Sequence, residues 1–319
     1  MKVAILGAWH VHATDYTKAA QENGAEVLGV WDEREDFKHA LAEKHNIPEF
    51  DTVEELLSSD CEAVIVCTAT NKHADYIVMA AEAKKDIFTE KVLALTVEDC
   101  LRVKDAVEKN GVRFVISYPW KFNPAYKVLK NEVESGRLGK INYVRFRNCH
   151  SGSSAHWLPA HFYNKEKCGG GAMIDLGAHG MYLTHWILGE PSGYSSTFTH
   201  FCRDEQDAIL NPDAIEDNAV TVMVYESGAI AINETGFVTR GCKETFEIGG
   251  ENGYLVSDGI TATFAVNKFQ PEKLELPDAE DKPIVQFLKG KTPEGCSMDE
   301  AIALTKMMVV AYAEVVNEK

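Results

Sequence analysis

Over the first 118 residues, short β-branched apolar runs alternate with helix-forming stretches: residues 3–6, 27–31, 63–67, 87–89 and 113–117 read as strands. This alternation constrains the chain more than any other feature. Parallel neighbours need a crossover of a dozen or more residues, and the crossover helices bury both faces of the sheet, so a doubly wound parallel α/β sheet is expected. Helix punctuation agrees. Thr52-Val53-Glu54-Glu55 reads as a capping box, Thr96 precedes Glu98 and Asp99 in a first turn, and Gly24 and Gly111 stand where helices stop.

Beyond residue 118 the rhythm changes. A helix is expected near 123–135, a strand at 141–148, a polar loop rich in Ser, Gly and His, and a helix near 172–188. Strands then follow strands, at 219–225, 229–235, 245–248, 254–256 and 260–266, with Gly, Asn and Asp between them, as in an antiparallel meander. A short helix near 281–289 and a capped helix over 297–317 complete the chain. The fold class expected is therefore α/β, with a doubly wound domain over 1–120 and an α/β domain over 121–319 whose mostly antiparallel sheet is open on one face. Val220, Val222 and Val224 alternate with Thr221, Met223 and Tyr225, so both faces of that strand carry apolar side chains. Too few helices remain to cover the second face, and a homodimer or homotetramer is expected to form through it.

Charge and cysteine usage exclude several classes. A formal net charge of −17 repels nucleic-acid phosphates and anionic lipid surfaces. No apolar run approaches the roughly 18 residues of a membrane span, and a cytoplasmic protein is expected. The eight cysteines form no C-x-x-C pair, which suits reduced thiols rather than a disulfide frame or a zinc site.

The first strand runs into Gly7-Ala8-Trp9-His10-Val11-His12 and then a helix, the place where a doubly wound sheet holds a pyrophosphate against backbone N–H groups. A dinucleotide fingerprint reads G-x-G-x-x-G; here Trp9 and His12 replace the second and third glycines. Asp32 ends strand two, where an acid binds both hydroxyls of an adenosine ribose, which favours NAD over NADP. Arg34 nearby is the residue that would pair a 2′-phosphate. The alternative for this segment is a plain strand–turn–helix with a capping Asp.

Three further segments join this one: Cys67-Thr68-Ala69-Thr70-Asn71-Lys72-His73-Ala74, Thr89-Glu90-Lys91-Val92, and Gly169-Gly170-Gly171-Ala172-Met173-Ile174-Asp175-Leu176-Gly177-Ala178-His179. With Lys121-Phe122-Asn123-Pro124, the Gly-Arg-Leu-Gly turn at 136–139 and Trp186-Ile187-Leu188-Gly189-Glu190-Pro191, they resemble the Gfo/Idh/MocA family of oxidoreductases along essentially the whole chain. The resemblance implies a Rossmann domain binding NAD(P) and a second domain, with a sugar or polyol held between them. Cofactor contacts are then expected from Gly7 to His12, Asp32, Arg34, Thr68, Ala69, Thr70, Asn71, His73, Glu90 and Lys91. The family's catalytic lysine, in an E-K-P motif, maps onto Lys91, and its D-x-x-x-H pair onto Asp175 and His179, which four-residue spacing places on one helix face.

Departures from the family pattern bear on the substrate. Val92 replaces the proline, which is expected to loosen the backbone. Tyr182 stands where many members carry Asp, and Lys121 where Arg is frequent. Trp120, Lys121, Trp157, His161 and Tyr182 are expected beside Lys91, Asp175 and His179 at the substrate. Gly169 to Gly171 either let the chain approach a bound ring or simply form a tight turn before a helix. His150, His156 and His161 lack a carboxylate partner in the pattern, and no metal is expected. The activity implied is hydride transfer between nicotinamide and a secondary alcohol or ketone of a sugar, cyclitol or polyol, with Lys91 stabilising the alkoxide and His179 or Asp175 moving the proton. An NAD-retaining glycosidase-type reaction and a catalytically silent NAD and sugar sensor are the alternatives.

Overall fold

The computed structural model describes residues 1–202 and 215–318. Its contacts group Met1–Tyr118 with Asp281–Thr305, and Pro119–Glu280 with Lys306–Lys319.

The first unit is built on five parallel strands: β1 (Lys2–Leu6), β2 (Glu26–Trp31), β3 (Ala63–Val66), β4 (Asp86–Thr89) and β5 (Phe114–Ile116). They lie in the order β2-β1-β3-β4-β5. Every residue of β3 and the last four of β1 are buried, as a sheet covered on both faces requires. The order reverses between β1 and β3, which opens a crevice at their C-terminal ends. Thr52 and Thr96 cap their helices as expected, each hydroxyl accepting the N–H three residues on, at 3.1 Å from Glu55 and 3.0 Å from Asp99.

A contiguous boundary at 120/121 leaves residues 281–305 in the second domain, whereas the structure packs them on the first. The ring of Phe287 meets Phe88 at 5.6 Å, and the Arg113 guanidinium lies 4.2 Å over it while donating to the carbonyls of Phe287 and Lys291. Apolar burial and a planar cation hold this returning segment, and neither shows in local pattern.

The second unit carries a nine-stranded sheet. Its central strand β6 (Ile141–Cys149) pairs in parallel with Ile230–Gly236 and antiparallel with Thr245–Gly250. The strands expected after it are present as Asn218–Val224, Ile230–Gly236, Thr245–Gly250, Gly253–Ser257 and Ala262–Ala265, but they form two antiparallel runs rather than one meander, because β6 inserts between Ile230–Gly236 and Thr245–Gly250. Sequence reading missed the strand Gly193–Thr199, whose core-facing Ser196 is a small polar residue bonded to Thr221 at 2.9 Å. The terminal helix Met298–Ala313 stops four residues short of its expected end; Val315–Glu318 turns into a strand beside Gly193–Thr199. The helix expected at 172–188 is interrupted at Leu176, giving Ala172–Asp175 and Gly177–Leu188. Asn233 registers the second piece on the sheet, its amide donating to the Gly177 carbonyl at 2.7 Å.

Candidate active site

At the crevice, Gly7 takes φ +97°, and a Cβ there would lie 2.5 Å from the Thr68 backbone nitrogen. This close approach joins the β1 turn to the β3 turn, and His10 N–H adds a bond to the Cys67 carbonyl at 3.0 Å. Trp9, in place of the second glycine, folds its indole into the interior at 5% exposure, while Val11 is exposed. Ala69 and Thr70 are buried in the same β3 turn. Thr68 Oγ1 and Asn71 Oδ1 are buried there without a hydrogen-bond partner. A buried polar atom left unpaired costs on the order of 1–3 kcal/mol, so two of them in one crevice mark a place built to receive a polar ligand. The residues thus fit a dinucleotide.

Asp32 is buried and accepts the Ala8 N–H at 2.6 Å and the Arg34 N–H at 2.8 Å, which aims the carboxylate toward the turn and leaves lone pairs for ribose hydroxyls. Burial raises its pKa, and the two backbone bonds oppose the rise. Arg34 is already engaged: its guanidinium pairs with Asp36 and lies 3.8 Å over the Phe37 ring. A 2′-phosphate would therefore meet a carboxylate with the nearby cation committed elsewhere. NADH is expected to bind at least about tenfold more tightly than NADPH in a fluorescence titration. Asp32→Ala should narrow the gap, and tighter NADPH binding by the unaltered protein would contradict this assignment.

Glu90 is buried beneath the same turn, where one carboxylate oxygen receives the Tyr16 hydroxyl and meets His12 Nδ1 at 3.1 Å. Burial opposes its ionisation, but His12, His10 and Lys91 outweigh burial and hold the carboxyl well below the usual range. His10, His12 and Glu90 place ligand atoms within 4.8 Å of one another, a set that sequence reading did not single out for a metal. The His12 Nδ1–Glu90 contact and the bond from the His12 backbone N–H to His10 Nδ1 at 3.2 Å tie the three together.

Lys91 stands two residues beyond the end of β4 and is only 4% exposed. The Lys91–Val92 peptide is cis. Where a loose backbone was expected, the Val92 carbonyl is gripped by His73 Nδ1 at 2.9 Å, while His73 Nε2 faces the Thr68 carbonyl at 3.1 Å. His73 was expected at the cofactor; it instead braces the β3 turn against the lysine's turn, and burial lowers its pKa.

In the second unit His179 is 6% exposed. Its Nδ1 meets Tyr182 Oη at 2.9 Å, and its ring stacks on Trp120 at 4.4 Å with 13° between planes. Tyr182 Oη also accepts the Trp120 N–H at 3.3 Å. Tyr182 was expected as a substrate contact; only 1% exposed, it holds His179 at Nδ1. Asp175 ends the first helical piece, close enough to His150 to oppose the fall that burial imposes on the His150 pKa. His150 in turn stacks on Phe237 at 4.9 Å and meets the exposed Trp157 at 4.6 Å. Lys121 is buried, and His161 lies in a single helical turn, its ring 5.0 Å from Phe162.

Residues 1–118 match the family model described as the oxidoreductase family, NAD-binding Rossmann fold, and residues 126–256 match that of the GFO/IDH/MocA C-terminal domain. The chain belongs to the Gfo/Idh/MocA family. It is an NAD(P)-dependent oxidoreductase whose N-terminal unit is the NAD-binding one. Among curated members, myo-inositol 2-dehydrogenase of Thermotoga maritima is 25% identical over 83% of this chain and 78% of its own length. The scyllo-inositol 2-dehydrogenase (NAD(+)) of Bacillus subtilis is 30% identical over 72% of this chain and 65% of its own. Among solved structures, GenD2 from gentamicin A biosynthesis in complex with NAD shares the fold at a TM-score of 0.80 and 20% identity, covering 98% of this chain and 93% of that one. No helix among the described residues is long and apolar enough to cross a membrane.

Proposed function

We propose that this enzyme exchanges a hydride between NAD and a secondary carbinol of a cyclitol or sugar, with Lys91, His179 and Asp175 acting on the substrate. The observation that carries the reading is the hold on His179, a buried imidazole anchored at Nδ1 by Tyr182 and flattened against Trp120. An imidazole fixed through one nitrogen presents the other in a set direction, which proton transfer requires. The inositol dehydrogenases among the relatives favour a cyclitol or hexose-like ring.

Bound NAD supplies the hydride acceptor. Lys91 Nζ donates to the carbinol oxygen and offsets the charge that develops as its proton departs. His179 takes that proton at Nε2, with its Nδ1–H donated to Tyr182 Oη; Asp175 orients a neighbouring hydroxyl. A silent sensor needs no such proton carrier. Appearance of NADH from NAD+ in the presence of inositols and glucosides tests the reading. His179→Ala should slow it by at least about a hundredfold. Undiminished turnover in that variant would overturn the assignment of His179.

We also propose a homo-oligomer formed through the open face of the second sheet. Thr221 and Met223 are buried while Val220, Val224 and Ile230 are 38%, 45% and 44% exposed, a patch of apolar side chains facing water. Light scattering should give a multiple of the chain mass; 35.4 kDa would contradict the proposal.

A further inference from the structure

Glu216 lies just before the strand Asn218–Val224 and is 4% exposed, yet among the described residues no cation bonds to its carboxylate. Both carboxylate oxygens accept the Gly171 N–H at 3.0 Å, and Oε1 also accepts the Met173 N–H at 2.9 Å and the Tyr312 hydroxyl at 2.6 Å. The Glu216 carbonyl takes the Ala172 N–H at 2.9 Å, and Tyr312 Oη takes the Ile174 N–H at 3.2 Å. A helix start leaves four N–H groups without intrahelical partners. Here all four, from residues 171 to 174, end on Glu216 or on Tyr312, which Glu216 itself holds.

The fit leaves no slack. A Cβ at Gly171 would lie 1.9 Å from the Glu216 carbonyl oxygen, and one at Gly170 would lie 2.0 Å from Tyr312 Oη. The glycines that sequence reading assigned either to a ligand's approach or to a tight turn thus admit the chain's own Glu216 and Tyr312. Asp175 sits one turn on, its N–H bonded to the Gly171 carbonyl at 3.0 Å, and His179 follows, its N–H bonded to Leu176 at 3.2 Å. Burial raises the Glu216 pKa, while Tyr312 and the backbone N–H groups oppose that rise.

We propose that Glu216 is a positioning residue: with Tyr312 it fixes where the helix bearing Asp175 begins and so aims Asp175 and His179 at the substrate. The proposal rests on the function proposed above, and its test separates the two. Glu216→Gln keeps the shape but puts an N–H donor against the N–H of residue 171, and in one of its two amide orientations against that of residue 173 as well, whereas Tyr312→Phe removes only one partner.

Each full-length variant is compared with the unaltered protein in NADH titration, in kcat and KM with an inositol substrate, and in amide exchange over residues 171–182 read by mass spectrometry. Glu216→Gln should leave NADH affinity within about threefold. It should speed exchange at 171–176 and lower kcat at least about tenfold, with a smaller change in KM. Tyr312→Phe should do the same more weakly, and it decides the matter if the first variant does not fold. A kcat within about twofold of the unaltered enzyme, or unchanged exchange, overturns the proposal. If the unaltered protein oxidises no polyol, the functional reading fails by itself. Exchange then still judges the hold of Glu216, and an unchanged rate in both variants overturns it.

Discussion

Lys91→Met is expected to lower turnover by at least about a hundredfold while leaving NADH affinity within about threefold. Methionine matches the length and apolar stem of lysine but cannot donate to a carbinol oxygen. The side chain is nine-tenths buried at the end of a central parallel strand, where an open α/β sheet binds its ligands, so the loss falls on the chemistry rather than on packing. The turn itself should persist, because His73 grips the Val92 carbonyl whatever stands at 91. Steady-state kinetics beside a fluorescence titration checks both halves. Unchanged turnover would reduce Lys91 to a structural residue, and loss of NADH binding would move its role to the cofactor.

Gly7→Ala is expected to destabilise the protein by about 2–5 kcal/mol and to abolish NADH binding, summing the left-handed backbone penalty with the cost of overpacking. The new methyl would lie 2.5 Å from the Thr68 nitrogen and 2.5 Å from its Cγ2, so the β3 turn has to move. That turn carries Thr68 Oγ1 and Asn71 Oδ1, the buried polar atoms that await a ligand. Thermal unfolding and NADH titration check this. A variant that melts with the parent and binds NADH would show that the two turns do not approach as described.

The same physics explains what was legible in the sequence. The parallel strands were readable because burial on both faces demands unbroken β-branched runs, and their helices carry side-chain caps that act locally, as at Thr52 and Thr96. Gly193–Thr199 was not readable, since a strand whose core-facing residues include Ser196 shows no apolar alternation. In the site, the place of Asp32 after strand two was legible, but the bonds that hold its carboxylate, from the Ala8 and Arg34 N–H groups, were not. The pairing of Arg34 with Asp36 was not legible, because it acts through side-chain geometry that spacing does not encode. Glu216 and Tyr312 reach the helix at 172 from 44 and 140 residues away, and only tertiary folding brings them there. The one trace available in advance was an acid pair, Glu216-Asp217, set against the first residues of a strand.

In the proposed reaction, hydride passes directly between a polyol carbon and NAD on this protein. Incubating the enzyme with NAD+ and an inositol deuterated at its carbinol carbons, then weighing the recovered NADH, tests that transfer most directly. The expected product is NADH heavier by one deuterium, formed by the unaltered protein and lost in Lys91→Met. NADH that binds tightly while no inositol or glucoside delivers deuterium to NAD+ would contradict it and leave a protein that senses its ligands without transforming them.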